Sequence, residues 1–309
     1  MRHVRLGGRH AKPAKPSRVL YLRSRRSPID PEKSLAQQRA DMERDLSRAP
    51  LPKNVAVESA ITAGRPSEWL RTPGAQVDRA VLYLHGGGYI AGSCATARPV
   101  AAGIAVAARC PVLVLDYRLA PENPFPAALD DAVAAFGSLI EQGFAAERIA
   151  FAGDSAGGGL ALAAAVALRD RGATLPGAIL CFSPWTDLTV SAESVTTRKK
   201  VDPICTQDSL VSFAHAYAAD EDLRASLVSP LYADLSGLPP MLIQVGTNEI
   251  LLGDSLRLAE AARQAGVEVT VETWDGMWHV WQGQAALVPE GKRAVESACS
   301  FFADCLSRP

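Results

Sequence analysis

The stretch Ile149-Ala150-Phe151-Ala152-Gly153-Asp154-Ser155-Ala156-Gly157-Gly158-Gly159 decides the fold of this chain of 309 residues. It starts as a short apolar run, which is typical of a buried strand, and an alanine-rich helical pattern continues to about Arg171. A Gly-x-Ser-x-Gly sequence on a sharp turn between a strand and a helix is the context of a nucleophile elbow. Glycines suit this turn because strand and helix approach each other closely there. We therefore interpret Ser155 as a nucleophile, although the same pattern also occurs by chance in glycine-rich loops.

A second glycine-rich segment, His85-Gly86-Gly87-Gly88, directly follows the apolar run at residues 80–84. Three consecutive glycines cost backbone entropy, so they need a reason. One interpretation of the three glycines is a flexible turn. Upstream of an elbow, however, such a loop indicates backbone N–H groups that stabilise a developing oxyanion. The predicted donors are the amides of Gly87, Gly88 and Ala156, and we interpret His85 as a residue that orients the loop.

Two histidines, His215 and His279, follow the predicted nucleophile. In a fold with this elbow the chain order is serine, acid, histidine, so the base must be one of these two. His215 falls inside a helical pattern at residues 206–219, which we assign to a cap. His279 lies in the loop just after an apolar run at residues 267–273, where loops of a parallel sheet converge. The sequence therefore predicts His279 as the general base.

The catalytic acid should lie on the loop after the preceding strand pattern, residues 241–246. Glu249 and Asp254 are both candidates on that loop. Glu249 is nearer to the end of the strand, whereas N-capping of the next helix would account for Asp254. We favour Glu249, with Asp254 as the alternative.

Apolar runs and helical patterns alternate through most of the chain, which predicts parallel strands with helices on both faces of the sheet. The predicted strands cover residues 80–84, 111–116, 149–154, 178–182, 241–246 and 267–273, with an antiparallel edge pair at 55–61 and 68–71. The predicted helices cover residues 31–48, 99–108, 126–142, 156–171, 206–219, 255–265 and 291–306.

One insertion interrupts this alternation, because residues 183–240 contain no strand pattern. An insertion of this length within a compact domain usually has a function. Together with the amphipathic N-terminal pattern it is predicted to cover the carboxyl edge of the sheet, where open α/β sheets bind ligands. We therefore expect one domain over residues 27–309, with a cap built from about 27–50 and 185–230.

Composition narrows the choice of partners and compartment. The net charge is −1 and the hydrophobic fraction is 48%, which is ordinary for a globular protein and gives no reason to expect a nucleic-acid partner. The six cysteines form no Cys-x-x-Cys pair or cluster with histidine, so we expect reduced thiols, no metal site and a cytoplasmic location. No apolar run is long enough for membrane insertion. A homodimer is compatible with these features.

Residues 1–26 carry nine Lys and Arg and no acidic residue. They lack the apolar core of a signal peptide. We expect a disordered basic tail here.

Four linked motifs resemble those of the hormone-sensitive lipase family of α/β-hydrolases, which includes bacterial carboxylesterases. They are His85-Gly-Gly-Gly-Tyr89, Asp116-Tyr-Arg-Leu-Ala-Pro-Glu122, Gly153-Asp-Ser-Ala-Gly-Gly158 and Trp278-His279. The resemblance runs from about residue 78 to the C-terminus. It implies an α/β-hydrolase fold with a mostly parallel, eight-stranded sheet, helices on both faces and a helical cap. It also implies the triad of Ser155, Glu249 and His279, because the family acid lies thirty positions before the histidine. The family usually has Asp at that position, so Glu249 is a departure.

The resemblance further implies a serine carboxylesterase that hydrolyses short to medium acyl-chain esters through an acyl-enzyme, with no metal or cofactor. A lactone hydrolase, an N-acetyl deacetylase or an amidase would use the same triad. A non-catalytic small-molecule receptor is disfavoured, because receptors resembling this family have lost the histidine that His279 supplies here.

Several other side chains have interpretations that depend on this assignment. Asp154 is expected to order the elbow. Asp116, Arg118 and Glu122 are expected to form one salt-bridge network beneath the oxyanion glycines. Four aromatic residues are expected either to line the substrate pocket or to pack in the core or cap: Tyr89, Trp185, Phe213 and Tyr217.

Overall fold

A computed structural model describes residues 33–306 of the chain. The predicted tail at residues 1–26 and the first part of the predicted cap, residues 27–32, lie outside the described residues. Within them, eight strands form one sheet in the order β1-β2-β4-β3-β5-β6-β7-β8. The strands are β1 (Ala56–Thr62), β2 (Arg65–Arg71), β3 (Ala80–Leu84), β4 (Val112–Leu115), β5 (Ile149–Asp154), β6 (Ala178–Phe182), β7 (Met241–Gly246) and β8 (Val269–Trp274).

The sheet is antiparallel only at one edge, where β1 pairs with β2 and β2 pairs with β4. All other neighbouring strands are parallel, as the alternating sequence pattern predicts. At the carboxyl end of β5, Gly153 lies opposite Leu84 of β3 and Cys181 of β6. The glycine loop that follows β3 therefore starts directly beside the turn that carries Ser155.

Helices cover both faces of this sheet. They are α1 (Leu35–Leu46), α2 (Cys94–Ala108), α3 (Ala127–Glu141), α4 (Ala156–Asp170), α5 (Ser194–Thr197), α6 (Gln207–Ala218), α7 (Leu252–Gln264) and α8 (Pro289–Leu306). One core cluster packs α3, α4 and α7 on one face, and another packs α2 and α8 on the opposite face. The eight-stranded, mostly parallel sheet with helices on both faces is the architecture that the motifs predict.

The central strand β5 shows why parallel strands are apolar throughout. Every residue from Ile149 to Gly153 is buried, because helices lie over both sides. Phe151 packs edge-to-face on Phe136 of α3, with ring centroids 4.9 Å apart. Aromatic pairs of this kind stabilise a core by about 0.5–1.5 kcal/mol beyond the area that they bury. The strand that leads to Ser155 is thus packed firmly between helices.

Two helices start earlier than the sequence predicts. The prediction placed Pro99 at the start of a helix, but α2 begins at Cys94, because Ser93 and Thr96 form a capping box there. Pro99 lies inside the helix. Helix α7 begins at Leu252 rather than at residue 255, and Leu251 is its N-cap without a side-chain hydrogen bond.

The segments assigned to the cap contain the helices that the sequence predicts there. Helix α1 begins at a capping box formed by Ser34 and Gln37, and α6 begins at one formed by Thr206 and Ser209. Both helices contribute residues to the wall of one cavity at the carboxyl edge of the sheet. The division of the chain into a domain and a cap stays a prediction.

Across residues 33–306, no helix combines the length and the apolar character that crossing a membrane requires.

Candidate active site

Ser155 lies at the tip of a strained turn between β5 and α4. Its backbone has φ 53° and ψ −123°, which a residue with a side chain adopts only when its surroundings enforce it. Two hydrogen bonds enforce it here: the Ser155 amide donates to the carbonyl of Phe182 at 2.9 Å, and the Trp185 amide donates to the carbonyl of Ser155 at 2.9 Å. The end of β6 therefore holds the turn on both sides of the serine.

The glycines on either side of the serine are required by close packing of backbone on backbone. A Cβ atom at Gly153 would overlap the carbonyl of Gly157, and one at Gly157 would overlap the carbonyl of Leu84. Any side chain at either position would push α4 away from the strand ends. The Gly-x-Ser-x-Gly pattern is therefore required by the close contact between β5 and α4, which presents the serine oxygen at the turn.

His279 and Glu249 form a buried pair at the ends of β8 and β7. His279 Nδ1 lies 3.0 Å from Glu249 Oε2, and Glu249 has no exposed surface. The other carboxylate oxygen, Oε1, accepts from the Gly246 amide at 2.6 Å and from the Ser183 hydroxyl at 2.8 Å. Both oxygens of Glu249 are thus occupied, which fixes the plane of the carboxylate and the orientation of the imidazole.

The pKa values of this pair follow from burial and mutual contact. Burial raises the pKa of Glu249, while its hydrogen bonds with His279 and Gly246 oppose that shift. Burial alone would lower the pKa of His279, but contacts with Cys205 and Glu249 outweigh it, so the pKa lies well above its ordinary value. The surroundings of the ring therefore favour its charged form more than water does.

In residues 33–306, no hydrogen bond joins His279 to the Ser155 hydroxyl, although both side chains border the same cavity. Such contacts are often long in unliganded enzymes and tighten when substrate binds.

Ser183 also holds the Glu249–His279 pair in place, and the sequence did not predict this. Its hydroxyl donates to Glu249 and accepts from the Val280 amide at 3.2 Å, so it links the acid to the residue after His279. Ser183 directly follows β6 and has φ 49°. Its position after a buried strand, in Ser183-Pro184-Trp185, was the available signal.

The predicted oxyanion loop has the backbone that such a site needs. Gly87 and Gly88 have φ values of 120° and 64°, in the region that favours glycine. The Gly87 carbonyl is turned away to accept from the amides of Ile90 and Ala91. Among the described residues, the amides of Gly87, Gly88 and Ala156 donate no hydrogen bond to a protein acceptor. Three free N–H groups near one serine can bind a negatively charged oxygen.

His85 supports this loop from below. Its Nδ1 lies 2.8 Å from the Gly86 carbonyl, and its ring stacks on Tyr117 with centroids 4.1 Å apart. The Tyr117 hydroxyl donates to the His85 carbonyl at 2.7 Å. Burial lowers the pKa of His85, which favours the neutral ring. The contacts are those of an orienting residue, as the sequence suggests.

Asp154 is anchored beneath the elbow. The Tyr83 hydroxyl donates to its Oδ1 at 2.6 Å, and a Cβ atom at Gly86 would overlap its carboxylate. Burial raises the pKa of Asp154, against the effect of that hydrogen bond. The carboxylate thus packs between the elbow and the oxyanion loop.

The single salt-bridge network expected for Asp116, Arg118 and Glu122 is wrong. Each of the three has its own partner, because the loop between β4 and α3 turns their side chains in different directions. Asp116 accepts from the Cys94 amide, Arg118 pairs with Asp131, and Glu122 pairs with Arg39. Arg39 of α1 also donates to the carbonyls of Ile90 and Ala120, so it fastens α1 to the loop behind the oxyanion glycines.

The N-cap interpretation of Asp254 is also wrong. Asp254 lies within the first turn of α7, and its Oδ2 accepts from the amides of Thr186 and Asp187 at 3.0 and 2.9 Å. Burial and the nearby Asp187 raise the pKa of Asp254 to about 7. The carboxylate therefore fastens the start of the insertion to α7, while Glu249 contacts the histidine.

A cavity of about 590 Å³ opens above these groups. Ser155, His279 and the oxyanion glycines form its polar floor, and apolar side chains form most of its wall. The apolar wall comes from α1, α2, the loop before α6, α6 itself and the segment before α8: Met42, Leu46, Val100, Ile204, Leu210, Phe213, Val280 and Leu287. The volume is that of a site for a small organic ligand.

Only one of the four aromatic residues considered for the pocket lines it. Phe213 borders the cavity, and a Cβ atom at Gly88 would overlap its ring. Tyr89, Trp185 and Tyr217 are buried and pack on one another instead; the Tyr89 and Tyr217 rings stack at 3.8 Å. These three side chains are therefore core residues and do not line the pocket, because their rings fill the space between the glycine loop after β3 and α6.

His215, the other histidine after the serine, lies on the exposed side of α6. Within residues 33–306, no hydrogen bond joins its side chain to Ser155, Glu249 or His279.

Comparison with known proteins agrees with this geometry. A model of the alpha/beta hydrolase fold family matches residues 81–283. An acetyl-hydrolase of Streptomyces hygroscopicus is 48% identical over 243 residues, which cover 78% of this chain and 81% of the relative. An esterase of Acinetobacter venetianus is 37% identical over 231 residues, which cover 74% of this chain and 75% of the relative.

Solved structures give the same result. The crystal structure of an esterase from the bacterial hormone-sensitive lipase family superposes with a TM-score of 0.89 at 45% identity, covering 94% of this chain and 97% of the other. A hormone-sensitive lipase from a metagenome library superposes with a TM-score of 0.90 at 38% identity, covering 94% and 98%. The chain belongs to the hormone-sensitive lipase family of α/β-hydrolase esterases.

Proposed function

We propose that the chain hydrolyses esters of short to medium acyl chains, with Ser155 as nucleophile, His279 as general base and Glu249 as the acid that orients it. The observation that carries this proposal is the buried His279–Glu249 hydrogen bond on the floor of a cavity that also contains Ser155. The unused amides of Gly87, Gly88 and Ala156 supply the oxyanion site.

In the acylation step, Ser155 Oγ attacks the ester carbonyl and His279 accepts the hydroxyl proton. Glu249 keeps Nδ1 protonated, so Nε2 is the nitrogen that takes this proton. The carbonyl oxygen becomes an oxyanion and accepts hydrogen bonds from the three amides, a contribution that is typically worth about 10²–10³ in kcat for each donor. The imidazolium then gives its proton to the departing alcohol.

In the deacylation step, water replaces the alcohol. His279 removes a proton from the water, the acyl carbonyl passes through a second oxyanion, and Ser155 leaves with the proton that His279 returns. No metal or cofactor takes part in either step.

The preference for small acyl groups rests on the shape of the cavity wall. Phe213 packs directly on Gly88, so its ring stands beside the predicted oxyanion site. The relative from Streptomyces hygroscopicus is named an acetyl-hydrolase, which agrees with a small acyl group. A lactone, an N-acetyl amide or another amide would meet the same catalytic groups, so a substrate panel must separate these activities.

The central test is Ser155→Ala, assayed on p-nitrophenyl esters from acetyl to lauryl. We expect the variant to lose nearly all activity and to lose labelling by a fluorophosphonate probe. Ser59→Ala, which changes an exposed serine on β1, is the matched control and should retain both. Wild-type rates in Ser155→Ala would overturn the proposal, and a lactone or amide hydrolysed faster than every ester would replace the substrate class.

We also propose a cytoplasmic location, which the free state of all six cysteines supports. Fractionation of the producing cells tests it. The homodimer stays a prediction, which sedimentation of the purified protein can check.

A further inference from the structure

A second concave surface lies beside the catalytic cavity and has no part in the mechanism given above. It is a groove of about 690 Å³ between α2 and α8, on one face of the sheet. Two charged residues on its border, Lys292 and Glu296, pair with each other at 3.8 Å. The rest of its lining is mostly apolar and includes Pro52, Gly103, Val106, Ala107, Val295 and Ala303. The groove is therefore a surface for apolar groups rather than for charged ones.

The groove and the catalytic cavity meet at a boundary built of small residues. Pro50, Pro99, Gly283 and Ala286 border both spaces. None of these four side chains is longer than that of proline, and Pro50 and Ala286 are exposed. A Cβ atom at Gly283 would make only an ordinary contact with Val100, at 3.6 Å, so the boundary is not tightly packed there. The groove therefore continues the catalytic cavity toward the surface.

The two helices give the groove an elongated shape. Residues of α8 from Lys292 to Ala303 border it at intervals of three and four residues, which places them on one face of the helix. At about 1.5 Å per residue, this face is about 16 Å long. The two helices are in contact where a Cβ atom at Gly103 would lie 3.5 Å from Val295 Cγ1. A trough of this form suits an extended alkyl chain better than a rounded group.

The catalytic groups decide which half of an ester faces the groove. His279 gives a proton to the departing alcohol in the proposed mechanism, so the alcohol oxygen must lie beside its ring. The segment that follows His279 lines the cavity with Val280 and Gly283, and Gly283 also borders the groove. The acyl group is assigned to the other side, where Phe213 packs on Gly88. The alcohol half of the substrate therefore points toward α2 and α8.

We propose that the groove between α2 and α8 binds the alcohol half of the ester, and that this half is a linear alkyl chain. The inference rests on the proposed function, because the triad fixes the direction of the leaving group. Each methylene that leaves water for an apolar surface contributes favourably to binding. A sugar or a polyol would bring hydroxyl groups against apolar side chains, where they would lose hydrogen bonds with water. The expected substrate class is therefore a short-chain acid esterified to a longer alkyl alcohol.

The experiment compares kcat/KM for ethyl acetate, octyl acetate and ethyl octanoate, with acid release measured by titration at constant pH. Octyl acetate and ethyl octanoate are isomers, so they differ in which half is long and not in size. We expect the wild type to prefer octyl acetate to ethyl acetate by at least about tenfold, because several methylenes bind in the groove. Ala286→Trp places a ring at the boundary and should reduce that ratio at least about fivefold. The ratio of ethyl octanoate to ethyl acetate should change by less than about twofold in this variant, because the acyl side is untouched.

Val106→Asp is a second variant, because it adds a charge to the groove without filling it. Val106 is 37% exposed, so the fold tolerates the replacement, which should lower the preference for octyl acetate. Ala134→Trp is the matched control. Ala134 is exposed on α3, which packs over the opposite face of the sheet, so this variant should behave as the wild type does.

Three results would overturn the proposal. The first is a preference for octyl acetate that neither groove variant lowers. The second is a larger effect of Ala286→Trp on ethyl octanoate than on octyl acetate, which would make the groove an acyl site. The third is a stable dimer in sedimentation that Val106→Asp dissociates, which would assign the groove to a second copy of the chain.

Binding in an inactive background separates this inference from the proposed function. In Ser155→Ala, 1-octanol should shift the methyl NMR resonances of Val106 and leave unchanged those of Val211, which is exposed on α6 and borders neither space. Ethanol at equal concentration should shift neither. Such shifts support the groove even if the wild type hydrolyses none of the three esters. Their absence would contradict the inference, whatever the esterase activity of the wild type.

Discussion

At the residue scale, the acid that we propose, Glu249, is one methylene longer than the Asp expected from the family resemblance, and the structure accommodates the difference at Gly246. A Cβ atom there would come within 3.0 Å of Glu249 Oε1 and would overlap the Met277 carbonyl. The missing side chain lets the longer carboxylate fold back onto the end of β7, where it accepts from the Gly246 amide at 2.6 Å. The remaining oxygen then reaches the histidine.

Glu249→Gln should lower kcat by about 10³- to 10⁴-fold, because an amide can turn its N–H toward Nδ1 and favour the wrong tautomer of His279. Asp254→Asn should keep kcat within about threefold of the wild type, since Asp254 contacts the insertion and not the histidine. Steady-state kinetics on a short-chain ester checks both. A larger loss in Asp254→Asn than in Glu249→Gln would transfer the acid role.

The pH dependence should reflect the raised pKa of His279. The base is active only when neutral, so kcat/KM should rise with pH as the ring loses its proton. Contacts with Cys205 and Glu249 favour the charged ring, so the midpoint should lie above the reference value of about 6.5. Initial rates from pH 5 to 10 measure it, and a midpoint at or below 6.5 would contradict this expectation.

The sequence could identify some of these residues and not others. Ser155 and His279 carry local signals, a glycine-flanked turn and a loop after an apolar strand. Ser183 carries a weaker one, because its contacts depend on where the start of the insertion lies against the loops after β7 and β8. Serine is also common at positions without function, so only its three-dimensional contacts identify Ser183 as part of the site.

At the element scale, strands were easier to predict than the starts of helices. The strands β3, β6 and β7 occupy the predicted residues, because buried parallel strands are continuous apolar runs bounded by turns. The first residue of a helix depends on which side chain caps it, and another residue type that favours helix starts can suggest the wrong position. The proline at residue 99 indicated a start, but the Ser93 capping box lies further upstream and determines it.

Helix α6 should control acyl length through Phe213. Replacing Phe213 by Ala removes a ring that borders the cavity and packs on Gly88. We expect the ratio of kcat/KM for octanoyl over acetyl ester to rise at least about tenfold, since one methylene in an apolar pocket is worth about 10- to 200-fold.

Val211→Ala is the control for that change, because Val211 lies on the same helix but is 39% exposed. Its ratio should match the wild type. An unchanged ratio in Phe213→Ala would show that another part of the wall limits the acyl chain.

At the scale of the whole molecule, the apolar cores on the two faces of the sheet stabilise the fold. One buried carboxyl group, that of Asp254, makes the free energy of unfolding fall as the pH rises. Asp254 is 1% exposed, and its pKa is raised from the ordinary 3.8 to about 7. The folded protein therefore binds this proton more tightly than the unfolded chain does. The contribution to the free energy of unfolding is fully present below pH 3.8 and is lost as the pH rises through 7.

Asp254→Asn should remove this dependence. Both amides donate to a single carboxylate oxygen, so the Asn carbonyl can accept both bonds without a buried charge. We expect the variant to melt at a higher temperature than the wild type at pH 8, and to show a smaller advantage at pH 5, where only part of this stabilisation has been lost. Asp208→Asn, on the exposed first turn of α6, should show no such difference. Calorimetry at the two pH values checks the prediction, and an equal change at both would contradict it.

The distribution of the catalytic cavity along the chain has a consequence for biosynthesis. Its wall uses residues 42–50 near one end and residues 283–287 near the other, and His279 comes late in the chain. A ribosome that has made the glycine loop at residues 86–88 and Ser155 has therefore not yet made His279, the last part of the wall or helix α8. With His279 as the base that we propose, the growing polypeptide cannot hydrolyse esters until His279 has been made and has packed against Glu249.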